Sequence, residues 1–224
     1  MGNRKRHRVL FGILAAACAL LATLSALRAT AEIVGREQAL RSLQSADPSA
    51  RREAVLELGR VGEMADANAL LDALRDEDEG VRGLAESAVW QVWSRSGDAR
   101  ADALLKKGIG HMEQGRMGAA VEDFSRVIEM HPEFAEGWNK RATAYYLMGD
   151  LEQSLRDCDE VMRRNPDHFG ALSGYGLIYV QRGELERALE YFERALEINP
   201  NLHGVQQTID LIHYKLGKEG KRSI

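Results

Sequence analysis

The sequence predicts an all-α protein. Its C-terminal half is an α-solenoid of three helical hairpins plus a capping helix, preceded by a shorter helical segment. Three observations carry this expectation. First, residues 101–200 write one 34-residue unit three times, in phase: Gly108, Ala142 and Gly176 stand 34 apart, as do Gly115, Gly149 and Gly183. Second, the apolar positions repeat with the same spacing: Ala120, Ser154 and Ala188; Phe124, Cys158 and Phe192; Val127, Val161 and Ala195. Third, Pro132, Pro166 and Pro200 punctuate the unit ends, where a missing backbone donor costs nothing. A repeat of this length buries its apolar face only against its neighbours, so the units stack.

Residues 1–31 read as a targeting segment. Residues 3–8 are basic, residues 9–27 carry no charge, and Ala29, Thr30 and Ala31 offer small residues before Glu32. The 19 uncharged residues exceed a usual signal core and nearly span a bilayer. Cleavage, retention as a membrane anchor through residues 9–27, and lipidation at Cys18 all stay open. Lipidation fits least, because Ala15, Ala16 and Ala17 precede the Cys and the apolar run continues past it. Each reading keeps the basic end in the cytoplasm and exports the bulk to the periplasm or the outer face of the inner membrane.

The whole chain carries a net charge of −4. All 34 acidic residues lie at or after Glu32, against 25 basic ones there, so the exported part carries −9. A nucleic-acid partner is excluded on this ground, since it needs a basic face. Once residues 1–31 are removed only Cys158 remains of the two cysteines, which allows no internal disulfide. Cys158 sits where Phe124 and Phe192 sit in their units and reads as a small buried core residue.

Residues 32–98 form the preceding segment. A second, degenerate period of 31 runs through it: Leu40 and Leu71, Leu43 and Leu74, Asp47 and Asp78, Arg51 and Arg82, Ala54 and Ala85. Helices are expected at 37–45, 48–60, 66–75 and 79–95. Asp47-Pro48 is a helix start, with Asp as cap and Pro at the first helical position. Gly59 and Gly62 end that helix. The pattern resembles HEAT-like repeats, with an irregular four-helix bundle as the alternative. Residues 76–79 are an acidic turn with nothing to complete a cation site. Trp90 and Trp93 share one helix face and are expected to lid the first 34-residue unit.

The 34-residue units span 101–134, 135–168 and 169–202. Their helices are expected at 101–114 and 118–130, 135–148 and 151–164, and 169–182 and 185–198. Small Gly108, Ala142 and Gly176 let the paired helices approach, while Phe124 and Phe192 plug the hairpins. Gly115, Gly149 and Gly183 supply left-handed helix ends. A capping helix follows at 203–216, with Gly217 again 34 beyond Gly183, and residues 218–224 read as a basic tail.

These residues are similar to the tetratricopeptide repeat (TPR) pattern over 101–217. Trp138 to Thr143, His168 to Gly174 and the Trp90/Trp93 pair resemble small exported bacterial TPR proteins. The resemblance implies a protein-binding scaffold and assigns no catalytic residue. Some TPR domains clamp a terminal carboxylate with Lys, Arg and Asn on the first helices. Here those sites hold Leu105, Ile109, Gly170 and Gly174, so the resemblance implies no such clamp.

Positions 16 apart face each other across a hairpin. Lys107 and Asp123, and Arg141 and Asp157, are therefore expected as ion pairs, the second bidentate; Tyr175 and Tyr191 fill the matching places in the third unit. The first helices line a concave wall: Leu105, Ile109 and Met112; Asn139, Thr143 and Tyr146; Ser173, Leu177 and Val180; then Gln207, Leu211 and Tyr214. An apolar wall with Asn139, Thr143 and Ser173 as polar points suits a protein or peptide ligand. The chain's own N-terminal helices, or a second copy forming a homodimer, are the other occupants.

Chemistry is not written here. The six His show no ligand spacing, no Gly-rich loop could cradle phosphate, and no nucleophile has a base in register. No cofactor, metal or catalytic residue is expected. The reading is an adaptor at the cell envelope, against a self-assembling structural protein or a regulatory subunit of an envelope complex.

Overall fold

A computed structural model of the chain describes residue 30 and residues 32–222, with side chains described through Gly217. The apolar run 9–27 and Cys18 lie outside the described residues. Among the described residues there is no strand, and no helix is long and apolar enough to cross a membrane.

The first region holds α1 (32–42), α2 (Pro48–Val61), α3 (Ala67–Ala73) and α4 (Glu79–Trp93). Asp47 and Asp78 cap α2 and α4 by accepting from Ser49 N and Val81 N, and Pro48 starts α2. Several boundaries differ from expectation, including the end of α4, which stops at Trp93 and not 95. Helix α1 is already formed at 32, not 37, and stops at 42. Tertiary anchors outweigh the cost of Gly35 inside it: Ala39 enters the core, and Arg36 forks onto Asp66 at 2.6 and 2.9 Å. Helix α3 is shorter than expected at both ends: the 3-10 turn Met64–Asp66, with its Glu63/Asp66 capping box, takes residue 66, and Leu74 caps the helix where two more residues were expected.

The solenoid follows as α5 (Ala99–Glu113), α6 (Met117–Met130), α7 (Ala135–Met148), α8 (Leu151–Arg164), α9 (Phe169–Arg182), α10 (Leu185–Ile198) and α11 (His203–Arg222). Each unit folds as a hairpin, and α6 and α8 pack on α7 and α9 of the next unit. Gly149 and Gly183 end α7 and α9 in the left-handed region, at φ +80° and +77°. Gly217 is not left-handed, and α11 runs on through it to Arg222, into the stretch expected as a tail. No described helix folds back there, so nothing compensates for breaking the helical ladder. Ile209 and Ile212 of α11 close the last unit's core.

The hairpin cores rest on matched volumes. A Cβ on Gly108 would lie 2.5 Å from Phe124 Cε1, and one on Gly176 would overlap the Phe192 ring. The middle unit places Ala142 opposite Cys158 instead. Small meets large at both ends, and medium meets medium between them.

The Trp pair goes elsewhere than expected. It closes on the start of the third unit, not the first: Trp93 stacks on His168 at 4.5 Å, and Trp90 meets Phe169 edge-on at 5.2 Å. Gly170 makes this fit, because a Cβ there would lie 2.5 Å from Trp90 Cη2. Phe169, Leu172 and Ala195 thereby join the core of the first region. Arg75 donates to the carbonyls of Glu197 and Ile198, and Asn201 Nδ2 donates to Leu74 O at 2.7 Å. The first region is thus keyed to the proline-turn end of the solenoid.

Candidate functional site

Helices α7 and α9 carry the residues expected at the middle of the concave wall. Asn139, Thr143 and Tyr146 follow one face of α7, and Ser173, Leu177 and Val180 follow the matching face of α9. Asn139, Thr143, Tyr146, Ser173 and Leu177 line one cavity of about 130 Å³, with Cys158 also in its lining. A Cβ on Gly174 would meet Cys158 Sγ at an ordinary 3.6 Å. Leu177 on α9 and Leu211 and Tyr214 on α11 are exposed, as is Gln207. Val180, Ile109 and Met112 are half-buried.

Two expected wall residues sit deeper. Leu105 is 2% exposed and clusters with Ala120, Phe124 and Val127, so it supports the wall from behind. Asn139 is buried, and its Nδ2 donates to Glu136 Oε2 at 2.9 Å. The hydroxyls of Thr143 and Ser173 donate to the carbonyls one turn back, Asn139 O at 2.9 Å and Phe169 O at 2.8 Å. The three expected polar points therefore spend protons inside the protein, and a ligand meets a largely apolar lining.

The paired positions hold the wall's helices at fixed separation. Arg141 forks onto Asp157 through Nε and NH2, both at 2.8 Å, and its NH1 donates to Ser125 Oγ at 3.0 Å. One guanidinium thus ties α7 to α8 and to α6. Asp157 is what raises the Arg141 pKa above its ordinary value. Lys107 Nζ lies 2.9 Å from Asp123 Oδ1, with the ammonium half in solvent. In the third unit the Tyr175 and Tyr191 rings stack at 4.4 Å, and Tyr175 donates to Asp159. Burial pushes the Tyr175 hydroxyl well above the usual phenol range and the Cys158 thiol up to about 12. Cys158 is thereby kept from thiolate chemistry.

A buried polar cluster underlies the wall. Glu136 and His168 are both about 1% exposed, and His168 Nε2 lies 3.1 Å from Glu136 Oε2. His168 Nδ1 accepts from Ala171 N as the cap of α9, so Nε2 carries the proton given to Glu136. Lys140 Nζ sits 2.9 Å from Glu136 Oε1. Burial alone would raise the Glu136 carboxyl; His168 and Lys140 overcome it and hold it below the usual range. The sequence marked neither His168 nor Glu136 for this pairing. A Glu in the first turn of a helix is too common to signal anything, and the 32-residue separation matches neither repeat. Among the described residues no group of three or more His, Cys, Asp or Glu could hold a metal ion.

Comparison with known proteins agrees with the repeat geometry. The tetratricopeptide repeat family model matches residues 105–161 and again 140–203. A TPR repeat-containing protein of Rhizobium etli is 34% identical over 62 residues, which is 28% of this chain and 30% of that protein. The chain thus matches less than a third of that relative's length. Among solved structures, the first TPR of Spaghetti (RPAP3), bound to the HSP90 peptide SRMEEVD, aligns with a TM-score of 0.51 at 25% identity. That match covers 54% of this chain and 96% of the other. The Sgt2 TPR domain from Aspergillus fumigatus aligns with a TM-score of 0.52 at 19% identity, over 55% of this chain and 83% of its own. The second likeness speaks to the fold alone.

Proposed function

We propose that the protein is a non-catalytic adaptor whose concave wall, in the solenoid that the tetratricopeptide repeat model matches over residues 105–203, holds a peptide or helix of another protein. One observation carries the reading: Asn139, Thr143, Tyr146, Ser173 and Leu177 converge on a single open cavity whose lining is mostly apolar. Such a wall suits an amphipathic segment anchored by apolar side chains. The Spaghetti relative, bound to the peptide SRMEEVD, is a precedent for peptide capture by this repeat. The partner here differs in chemistry. The clamp sites hold Leu105, Ile109, Gly170 and Gly174, and the exported part is acidic, so an acidic peptide end finds no cation on the wall.

We place the adaptor at the cell envelope, outside the cytoplasm. Support comes from the basic residues 3–8 followed by the uncharged run 9–27. The competing reading is self-assembly, favoured by the exposed Leu177, Leu211 and Tyr214. Sedimentation of the full chain separates the two. A monomer whose mass is unchanged by Leu177→Glu is the expected result. A tight dimer abolished by Leu177→Glu would overturn the adaptor reading in favour of a groove filled by a second copy.

A further inference from the structure

The first region is tied to the solenoid at both ends and in the middle. At the near end the turn 94–98 joins α4 to α5. Arg95 donates to the carbonyls of Gly59 and Gly62, Ser96 N donates to Asp102 Oδ1 at 2.8 Å, and Asp98 caps α5. In the middle Trp93 lies on His168 and Trp90 meets Phe169, where the turn after α8 enters α9. At the far end Arg75 holds the last carbonyls of α10, and Asn201, in the turn from α10 to α11, holds Leu74 O.

A repeat in a solenoid touches only its neighbours. The separation of the first and third units then follows from two interfaces that flex independently. Here a further path joins those units. Leu58, Leu74 and Trp93 of the first region share one buried core with Phe169 and Ala195 of the third unit. Close-packed apolar contact of this kind transmits displacement with little give. The path lies along the proline-turn edge. It leaves the cavity lined by Thr143, Ser173 and Leu177 open on the concave side.

We propose that the first region is a brace that sets the curvature of the solenoid, and with it the spacing of α5, α7 and α9 along the concave wall. Trp90 and Trp93 are its positioning residues. They lock onto the third unit, while the turn 94–98 holds the first. The brace concerns the shape of the wall and stands whether or not the wall takes a partner. Only its consequence for binding rests on the adaptor reading: a wall already held in shape loses less freedom when a ligand docks.

Distances between spin labels on the full chain test the brace. The labels are attached through azide-bearing residues, so that Cys18 and Cys158 take no part. One pair replaces Glu122 of α6 and Glu190 of α10, exposed residues at the same repeat position two units apart. A second pair replaces Glu122 and the exposed Arg156 of α8, one unit apart. The brace is released by Gly170→Leu. Its Cβ would lie 2.5 Å from Trp90 Cη2, while Leu in place of Gly favours α9 itself. Gly118→Leu is the control, at the matching second position of α6 with nothing within 4 Å of its Cβ. Gly170→Leu is expected to broaden and shift the Glu122/Glu190 distribution and to leave the Glu122/Arg156 distribution unchanged; Gly118→Leu is expected to leave both unchanged. A Glu122/Glu190 distribution that coincides with the wild type in Gly170→Leu would overturn the proposal. So would equal broadening of both pairs, which is general loosening of the solenoid. Should Gly170→Leu fail to fold, Arg75→Ala combined with Asn201→Ala releases the far end alone, and the same two results decide.

Discussion

The two repeating regions of this chain are held together by different chemistry. In the 31-residue period the recurring device is an arginine at a turn. Arg51 NH1 donates to Ser45 O and Ala46 O at 2.9 and 3.2 Å, and Arg82 NH1 donates to Asp76 O and Glu77 O at 2.9 and 3.1 Å. Every acceptor in the second copy stands 31 residues after its counterpart. In the 34-residue period the device is steric, a small residue under a large one: Gly108 under Phe124, Ala142 under Cys158, Gly176 under Phe192. The difference explains why one repeat is faint in the sequence and the other is plain. A guanidinium that reads backbone carbonyls accepts any residue as partner. A glycine beneath a ring demands both members of the pair.

The same substitution should therefore have opposite signs in the two regions. Gly176→Ala pushes a methyl into the Phe192 ring and is expected to destabilise by about 2–3 kcal/mol. Gly83→Ala, inside α4 with nothing within 4 Å of its added Cβ, is expected to stabilise by about 0.5–1 kcal/mol. Urea unfolding of both variants checks the contrast. Adding Phe192→Cys to Gly176→Ala copies the middle unit, and the double variant should cost less than the sum of its parts. Additive costs would mean that the pair is not a matched unit.

Next in size is the Arg141–Asp157 fork. Asp157→Ala leaves a half-buried guanidinium without its carboxylate and should cost about 2 kcal/mol. Glu152→Ala removes only an exposed pair with Arg182 and should cost no more than about 0.5 kcal/mol. Equal melting temperatures for the two variants would remove the fork from the account.

A pH-dependent effect concerns Glu136. Its folded carboxyl lies below the usual range, so ionisation adds stability above the unfolded value, about 4.3, and this is lost as pH falls through the folded value. The penalty of Glu136→Gln should be greatest near pH 7 and shrink toward pH 3. A penalty that grows on acidification would contradict the assignment of His168 and Lys140 as its partners.

What the sequence made legible follows from which forces are local. Helices 135–148, 151–164, 169–182 and 185–198 fell where glycines and prolines punctuate the units. The facing of Arg141 with Asp157 was readable because hairpin geometry fixes the 16-residue offset. The start of α1 was not readable, because its anchor is Arg36 on Asp66, a tertiary contact with no local mark. The destination of Trp90 and Trp93 was hidden for a related reason. Periodicity relates neighbouring units, and these rings reach past two units to Gly170. Leu105 was placed on the wall by register alone, which cannot distinguish a surface from the layer beneath it.

The central claim is that the inner wall of the solenoid holds another protein's chain. A photoreactive residue at Tyr146, on the concave side, tests it against the same residue at Arg156, exposed on α8. After irradiation in intact native cells, the Tyr146 variant should yield one discrete adduct with a different protein, lost when Leu177→Glu is added, while the Arg156 variant yields none. Equal labelling from both positions, or a Tyr146 adduct composed only of this chain, would contradict the account.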